Sequence, residues 1–200
     1  MKKSGILLLA ICMGAFTSMD AQEKGTLGFS FSAFNNNQLL QSAETGQDDI
    51  TVNGRGFMSF STDYWYPVND WLELETGVNY SMQYFRNIYN DPSASEPVDP
   101  ENDITHMINI PVGVRAGFLK YGFINGGILV DMLKEPGIGS YFGVGARIES
   151  PVGFGMFINP YVKAHSIFPV NFNKNADRIL EAGIRIGVSF RLGSSMNEWR

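Results

Sequence analysis

The dipeptide His165-Ser166 places the two side chains of a base-activated nucleophile next to each other, and His106 is the only other histidine of the chain. A serine hydroxyl whose proton is taken by an imidazole attacks acyl groups, so this pair indicates acyl transfer or hydrolysis. Such chemistry requires the hydroxyl and a ring nitrogen to lie within hydrogen-bond distance of each other. The secondary structure around residues 165 and 166 therefore decides whether the pair can act.

Twelve charged residues form the second group with chemical potential, and six of them are acidic and six basic. A buried charge costs several kcal/mol unless it is paired, so a balanced set predicts ion pairs inside a sealed interior. The interpretation requires that all twelve side chains point to the same side of the structure. The twelve residues are Arg55, Asp63, Glu73, Glu75, Arg115, Asp131, Arg147, Glu149, Lys163, Glu181, Arg185 and Arg191.

Alternation of apolar and polar residues with a period of two is the dominant pattern of the chain. Between Leu72 and Tyr84, the even positions are mostly apolar or aromatic, whereas the odd positions carry charge, amide, hydroxyl or glycine. The segment from Leu180 to Leu192 repeats this pattern. Successive side chains of a strand point to opposite sides, so each segment predicts a strand with one apolar and one polar face. Both segments reach the roughly 9–11 residues that a tilted strand needs to cross a bilayer.

Six further segments show the same alternation, which gives eight strands in all: 25–35, 50–66, 104–118, 122–133, 141–149 and 153–165. The predicted connections alternate in length. The short ones are 67–70, 119–121 and 150–152, and the long ones are 36–49, 87–103, 134–140 and 166–177. Short turns at one rim and long loops at the other are typical of outer-membrane barrels. We therefore predict an all-β chain that forms an eight-stranded antiparallel up-and-down transmembrane β-barrel.

The polar faces are rich in glycine, serine and single charges, which favours the lumen of a narrow barrel over the surface of a soluble one. An arginine facing mid-bilayer lipid costs about 2–4 kcal/mol, and this cost fixes the register around Arg185. Side chains fill the interior of an eight-stranded barrel, so we expect a salt-bridged plug and no open pore. Neighbouring strand residues point to opposite faces, which separates the side chains of His165 and Ser166. We expect His165 in the lumen or at the rim, beside Lys163.

Aromatic residues gather near the predicted strand ends. Because amphipathic rings favour the headgroup level of a membrane, these residues predict two aromatic girdles. The girdle residues are Tyr64, Tyr66 and Trp71 near the first short turn, and Tyr80 and Tyr84 towards the second long loop.

The first residues resemble an export signal. Lys2 and Lys3 precede an apolar stretch at residues 5–16 and a small, polar region that ends near Gln22. This order is typical of a secretory signal peptide. We predict a cleavable signal peptide at 1–22, the barrel at 23–193 and a short C-terminal tail at 194–200. The only cysteine, Cys12, lies in the signal, so the exported chain has no disulfide.

Charge and hydropathy exclude two classes of protein. Removal of Lys2, Lys3 and Asp20 with the signal changes the formal net charge from −5 to −6. An acidic chain lacks the positive surface by which nucleic acids are bound. Outside the signal, no window is apolar over the roughly 20 residues that a spanning helix needs, which excludes a helical membrane protein.

The segment Ile108-Asn109-Ile110-Pro111-Val112 resembles the "L-x-I-P-L" strand of the PorT-like outer-membrane β-barrel domain family, among the small barrels of the OmpA and OmpX type. Residues 122–130, 143–146 and 183–192 resemble the glycine-rich strands that follow it in that family. The resemblance covers most of the exported chain. It implies a barrel in the outer membrane of a Gram-negative cell, and for some members a role in protein secretion.

We expect a non-enzymatic outer-membrane barrel that serves envelope structure or surface recognition through loops 36–49 and 87–103. The alternatives are an accessory component of protein secretion, a narrow solute channel, and a lipid A-modifying enzyme that uses His165. The acidic loop 87–103 could contact calcium, although its spacing fits no EF-hand and favours a solvated loop. We predict no cofactor and no metal. The expected partners are outer-membrane lipid and lipopolysaccharide, with an unidentified surface ligand or envelope protein.

Overall fold

Eight antiparallel strands close into a barrel in which each strand pairs with its neighbours in chain order and the last returns to the first. The computed structural model of the chain describes residues 25–41, 50–89, 101–132, 136–169 and 178–192. Among these residues, no helix is long and apolar enough to cross a membrane. The strands are β1 (Thr26–Gln41), β2 (Ile50–Pro67), β3 (Leu72–Tyr89), β4 (Glu101–Phe118), β5 (Gly122–Asp131), β6 (Gly137–Glu149), β7 (Phe154–Pro169) and β8 (Arg178–Arg191).

The predicted fold class is confirmed, and the three short turns lie at 68–71, 119–121 and 150–153, each within one residue of its predicted bounds. The predicted signal peptide at 1–22 and the tail at 194–200 lie outside the described residues.

Six of the strands run further towards the long-loop end than the sequence indicated, whereas β2 begins at its predicted bound and β5 ends at Asp131, two residues before its predicted bound of 133. The predicted loop 87–103 is partly strand, since Asn87 pairs with Glu101 and Phe85 with Asp103. The sequence-based bounds stopped where the clear apolar alternation stopped, but backbone pairing continues beyond that point. β2, β3 and β4 contain 18 residues each, whereas β5 contains 10 and β6 contains 13.

The outer surface of the barrel is apolar and its interior is polar. On β6, the outward side chains Phe142, Val144 and Ile148 are exposed, while Tyr141 points inward and is buried. The other strands repeat this arrangement, with exposed phenylalanine, valine, isoleucine and methionine outside. A soluble barrel would place these residues in its core. The chain is therefore a transmembrane barrel whose outer face contacts lipid.

Irregularities in strand pairing concentrate towards the long-loop end. On β2, Gly54 pairs with Phe85 and Phe57 pairs with Gln83, so two residues of β2 stand opposite one residue of β3. Gly56 supplies the positive φ of 97° that this bulge requires. A bulge of this kind reverses the alternation of the strand beyond it.

A second bulge lies on β7, where Ser166 has a φ of 51°. Ile138 pairs with Phe168 and Ser140 pairs with Ala164, so β7 carries extra residues between the two pairs. The alternation of β7 is therefore interrupted at His165 and Ser166, and both side chains are buried.

Small residues inside the barrel make room for large ones on the neighbouring strands. A Cβ atom added to Gly28 would lie 2.8 Å from the ring of Trp65, which is 0% exposed. A Cβ atom on Gly143 would lie 2.6 Å from Asn125 Oδ1 and 2.7 Å from Asn159 Nδ2. These distances are shorter than van der Waals contact, so larger residues at 28 and 143 would displace the groups that fill the lumen.

If the outer face contacts lipid, the cost of an outward arginine should depend on its depth along a strand. Val144→Arg, at an outward position inside β6, should lower the free energy of unfolding by about 2–4 kcal/mol because the charge enters the bilayer interior. The matched control is Ile148→Arg on the same face, one residue from the short-turn end of β6. This control should lose about 0–1 kcal/mol. Denaturant titration of the protein folded in vesicles measures both, and equal losses would contradict the proposed depth.

Candidate functional site

Ten of the twelve charged residues that the sequence assigned to the lumen line the interior and form connected layers along the barrel. Seven are buried and three are partly buried near the short-turn end. The buried residues are Asp63, Glu75, Arg115, Asp131, Lys163, Glu181 and Arg185, and the partly buried ones are Glu73, Arg147 and Glu149. Arg191 lies at the short-turn mouth with its side chain 57% exposed. Arg55 lies elsewhere.

Arg55 is a correction to the sequence prediction. Its odd number gave it the same parity as Asp63, which indicated an inward side chain. The bulge around Gly56 adds a residue between the two positions, so Arg55 is exposed at the long-loop end of β2. The positive φ of Gly56 turns the Arg55 side chain outward. The alternation of residues alone does not reveal this φ.

The short-turn mouth contains a chain of ion pairs. Arg191 Nη2 lies 2.7 Å from Glu149 Oε1. Arg147 of β6 joins this pair to β3 across the lumen, because its Nη2 lies 3.0 Å from Glu73 Oε1 while its Nε lies 4.0 Å from Glu149. Glu73 in turn lies 3.9 Å from Arg115 Nε. Charges of opposite sign therefore alternate from the rim into the barrel.

Arg115 lies inside a cage of aromatic rings. Its guanidinium carbon is 3.6 Å from the ring centre of Trp65 and 4.0 Å from that of Phe123. Phe157 closes the cage from β7, with its ring centre 5.2 Å from that of Trp65. A cation over an aromatic face is stabilised most where water is excluded, as it is here. The cage fills the lumen just above the mouth.

Arg185 of β8 lies in the middle of the barrel and contacts groups on several other strands. Its guanidinium lies 3.6 Å from Asp63 Oδ1 and 3.6 Å from Glu75 Oε1. It also donates hydrogen bonds to Asn159 Oδ1, the shorter of 2.6 Å. Asn125 completes the layer, since its amide donates to Glu75 Oε2 at 2.9 Å and accepts from Asn159 at 3.2 Å. One cation thus serves two carboxylates.

Glu181 is the centre of the layer nearest the long loops. Its carboxylate lies 3.3 Å from Lys163 Nζ and accepts hydrogen bonds from Tyr161 at 2.8 Å and Gln83 at 2.7 Å. His165 Nε2 lies 3.3 Å from the same carboxylate. Glu181 is 0% exposed, so these four groups replace the water that its charge would otherwise require.

His165, Ser166 and Asp131 form one cluster, which contradicts the expectation that adjacent residues would be separated. The bulge on β7 brings both side chains inside the barrel. His165 Nδ1 lies 2.9 Å from Asp131 Oδ1, and the Ser166 amide donates to Asp131 Oδ2 at 2.8 Å. The Ser166 hydroxyl also faces Asp131, at 3.5 Å. The predicted position of His165 beside Lys163 is consistent with this arrangement, because both contact Glu181.

Both ring nitrogens of His165 lie near carboxylate oxygens, Nδ1 near Asp131 and Nε2 near Glu181. An imidazole in this position donates a hydrogen bond at each nitrogen. Neither nitrogen is then available to accept a proton from the Ser166 hydroxyl, which general-base activation would require. The cluster binds and orients its members, but it is not arranged as a nucleophile with its base. Among the described residues, no group of three or more His, Cys, Asp or Glu side chains could hold a metal ion.

An apolar cluster lies at the long-loop end of the interior. Phe85, Met107 and Ile179 are buried together, and Leu39 and Val52 pack against them. These residues follow the inward alternation of their strands beyond the charged layers. The lumen is thus filled by apolar side chains at this end, above the layer that contains Glu181.

Four of the five predicted girdle residues lie towards the two ends of the barrel, and Tyr80 does not. Tyr64, Tyr66 and Trp71 lie near the first short turn, with Trp71 exposed. Tyr84 points outward nearer the long-loop end of β3, whereas Tyr80 points outward at the middle of β3, opposite Phe60, and its Oη lies 2.8 Å from His106 Nδ1 of β4. His106 is therefore an outward residue and takes no part in the interior cluster.

Sequence reasoning missed the uncharged members of the interior network. Gln83, Asn125, Asn159 and Tyr161 each contact a buried charge or its partner. All four have the inward parity of their strands, so alternation could have identified them. Their amide and phenol groups pair with the same buried charges, although they carry no charge themselves.

No family model matches this chain. No curated protein matches it either. The resemblance to the PorT-like family therefore stays a prediction.

Several solved structures are similar to the chain at low identity. The outer membrane protein AlkL, solved in DMPC lipid bilayers, shares 12% identity with a TM-score of 0.45, covering 90% of this chain and 96% of that chain. A de novo designed transmembrane β-barrel shares 9% identity with a TM-score of 0.41, covering 87% and 100%. The outer membrane protein Ail of Yersinia pestis shares 14% identity with a TM-score of 0.30, covering 82% and 99%. These values carry no inference about function, and the barrel assignment depends on the strand pairing and surface of this chain itself.

Proposed function

We propose that the chain is an integral outer-membrane barrel with a closed lumen, which serves envelope structure or surface recognition and catalyses no reaction. The outer-membrane location is supported by the apolar outer face of the strands and by the predicted signal peptide. The short turns then face the periplasm and the long loops face the outside, as in other barrels of this type.

The observation that carries the proposal is the continuous filling of the lumen. From the periplasmic mouth inward, the lumen contains the Arg115 cage, the Arg185 layer and the Glu181 layer, followed by the apolar cluster around Phe85. Eight strands enclose an interior that side chains are able to fill. A pore or a narrow solute channel would require a continuous polar path past these layers, so we favour a closed barrel.

The lipid A-modifying alternative is disfavoured by the surroundings of His165. The Asp131 and Glu181 carboxylates occupy its two ring nitrogens, and His165 is only 1% exposed. A lipid substrate held at the outer surface of the barrel would not reach a ring buried in the lumen. We infer that the cluster is structural.

Surface recognition would use the strand ends and connections at the long-loop rim. In the two predicted recognition segments, the described amide side chains of Asn36, Gln38, Asn87 and Asn102 are exposed or partly exposed and suit hydrogen-bonded contact. The remaining residues, 42–49 and 90–100, lie outside the described residues. The alternative role in protein secretion depends on the resemblance alone and would require a co-purifying partner.

The closed lumen predicts the electrical behaviour of the purified protein. In planar bilayers it should give no conductance steps of porin size, because side chains occupy the lumen at each level. A sixteen-stranded porin in the same bilayer, which leaves an aqueous channel, is the positive control. Reproducible steps of comparable size from this protein would overturn the proposal.

The Glu181 layer predicts a large loss of stability from a small change. Glu181→Gln preserves the shape of the side chain but leaves Lys163 without its buried carboxylate, which should lower the free energy of unfolding by about 3–5 kcal/mol. The matched control is Glu149→Gln, because Glu149 pairs with the exposed Arg191 at the periplasmic mouth. A partly exposed pair of this kind should contribute only about 0–1 kcal/mol. Denaturant unfolding in vesicles compares the variants, and a similar small loss in both would show that the interior network does not stabilise the closed barrel.

A further inference from the structure

Two arginines lie on the outer face of the barrel near the long-loop end, on neighbouring strands. Arg55 of β2 is exposed because the bulge at Gly56 turns it away from the lumen. Arg86 of β3 has the outward parity of its strand and stands opposite Asn53, two residues from Arg55. The two guanidinium groups therefore belong to one small surface on the β2–β3 pair.

This surface lies at the level where the membrane should end. Eleven positions separate Arg55 from the periplasmic girdle residue Tyr66, and roughly 9–11 residues of a tilted strand cross the bilayer. Between them, the outward side chains Met58 and Phe60 are exposed and apolar. The arginines thus stand just above the apolar band, at the height of the outer-leaflet headgroups.

The neighbouring groups are aromatic or neutral. Tyr84 lies on the outward face of β3 between the levels of Met82 and Arg86, and Asn102 of β4 stands opposite Arg86. Glu101 and Asp103, which flank Asn102, have the opposite parity on β4. Among the described residues, neither Arg55 nor Arg86 forms an ion pair with a carboxylate.

We propose that Arg55 and Arg86 bind the phosphate group of an outer-leaflet lipid headgroup. The inference rests on the outer-membrane location proposed above and names the lipid contact that this location provides. Guanidinium groups match phosphate oxygens through paired N–H donors. The phenol of Tyr84 has the amphipathic character that favours the same depth of the membrane.

The source of the phosphate follows from the surface below the two arginines. A lipid whose headgroup reaches Arg55 lays its acyl chains along Met58 and Phe60, so apolar contact adds to the charge contact. A free phosphate ion would have only the exposed charge contact, which contributes little in water. The site therefore selects a phosphate attached to acyl chains.

The test is lipid binding by the full chain folded in uncharged detergent, read by native mass spectrometry. The probes are lipid A with its phosphates, the same lipid A after removal of its phosphates, and inorganic phosphate alone. The variants are R55Q, R86Q and R55Q/R86Q. The matched control is K120Q, which removes an exposed positive charge at the opposite, periplasmic rim.

We expect the double variant to bind phosphorylated lipid A about tenfold more weakly than the parent chain, and K120Q to bind it as well as the parent. Dephosphorylated lipid A should bind the parent and the double variant equally weakly. Inorganic phosphate in the millimolar range should not displace the lipid. R86Q alone should give a smaller loss in the same direction, which keeps the test valid should changes at the bulge prevent folding.

Equal affinity of the parent and the double variant for phosphorylated lipid A would refute the site, and so would an equal loss in K120Q. Displacement of the lipid by inorganic phosphate would refute a lipid-specific site. Each variant is first checked for a folded barrel by its change in gel mobility on heating in detergent. A folded, non-conducting barrel that shows no difference in lipid binding would refute the arginine site and leave the proposed function standing, whereas porin-size conductance would refute the closed barrel independently.

Discussion

Charges enclosed in a narrow barrel must be paired, and this constraint governs the arrangement of the interior. The carboxylate of Glu181 contacts four partners that are cations or hydrogen-bond donors, namely Lys163, His165, Tyr161 and Gln83. Arg185 in turn forms ion pairs with two carboxylates, those of Asp63 and Glu75. Glu181 of β8 has its partners on β3 and β7, and Arg185 of β8 has its carboxylate partners on β2 and β3, so the network also fixes the register of these strands. The apolar outer face, in contrast, tolerates many residues of similar hydrophobicity.

Space limits the interior as strictly as charge does. The rings of Trp65, Phe157 and Tyr161 each lie against a glycine of a neighbouring strand, and the glycines are Gly28, Gly187 and Gly183 respectively. The Arg115 cage depends on this alternation of size, since the rings that hold the guanidinium need small residues beside them. The packing of the interior therefore depends on residues from several strands at once. Its consequence is that inward positions tolerate fewer substitutions than the outer face or the rims.

Much of this architecture could be predicted from the period-two pattern, because a strand with one face in lipid and one in the lumen leaves that pattern in its sequence. The pattern located the eight strands and the inward side of residues such as Glu75 and Arg185. It failed at Arg55 and at Ser166, where bulges interrupt the alternation. A bulge is stabilised by contacts with neighbouring strands. At Gly56, for example, the backbone amide donates a hydrogen bond to Asn37 Oδ1 of β1. The sequence of one strand alone therefore does not reveal the bulge. The sequence also could not show that His165 has carboxylates at both ring nitrogens, because Asp131 and Glu181 come from other strands.

The unequal strand lengths give the mouth of the barrel a high side and a low side. β4 continues for the eight residues from Glu101 to Ile108 beyond the last position that pairs with β5, which is about 26 Å along the strand at roughly 3.3 Å per residue. β5 ends at Asp131, so within the described part of the chain the wall is low there. The described wall of the barrel is therefore taller on the β3–β4 side of the long-loop mouth than on the β5–β6 side. A group that approaches the inward residues at this mouth would meet less backbone from the β5–β6 side than from the β3–β4 side.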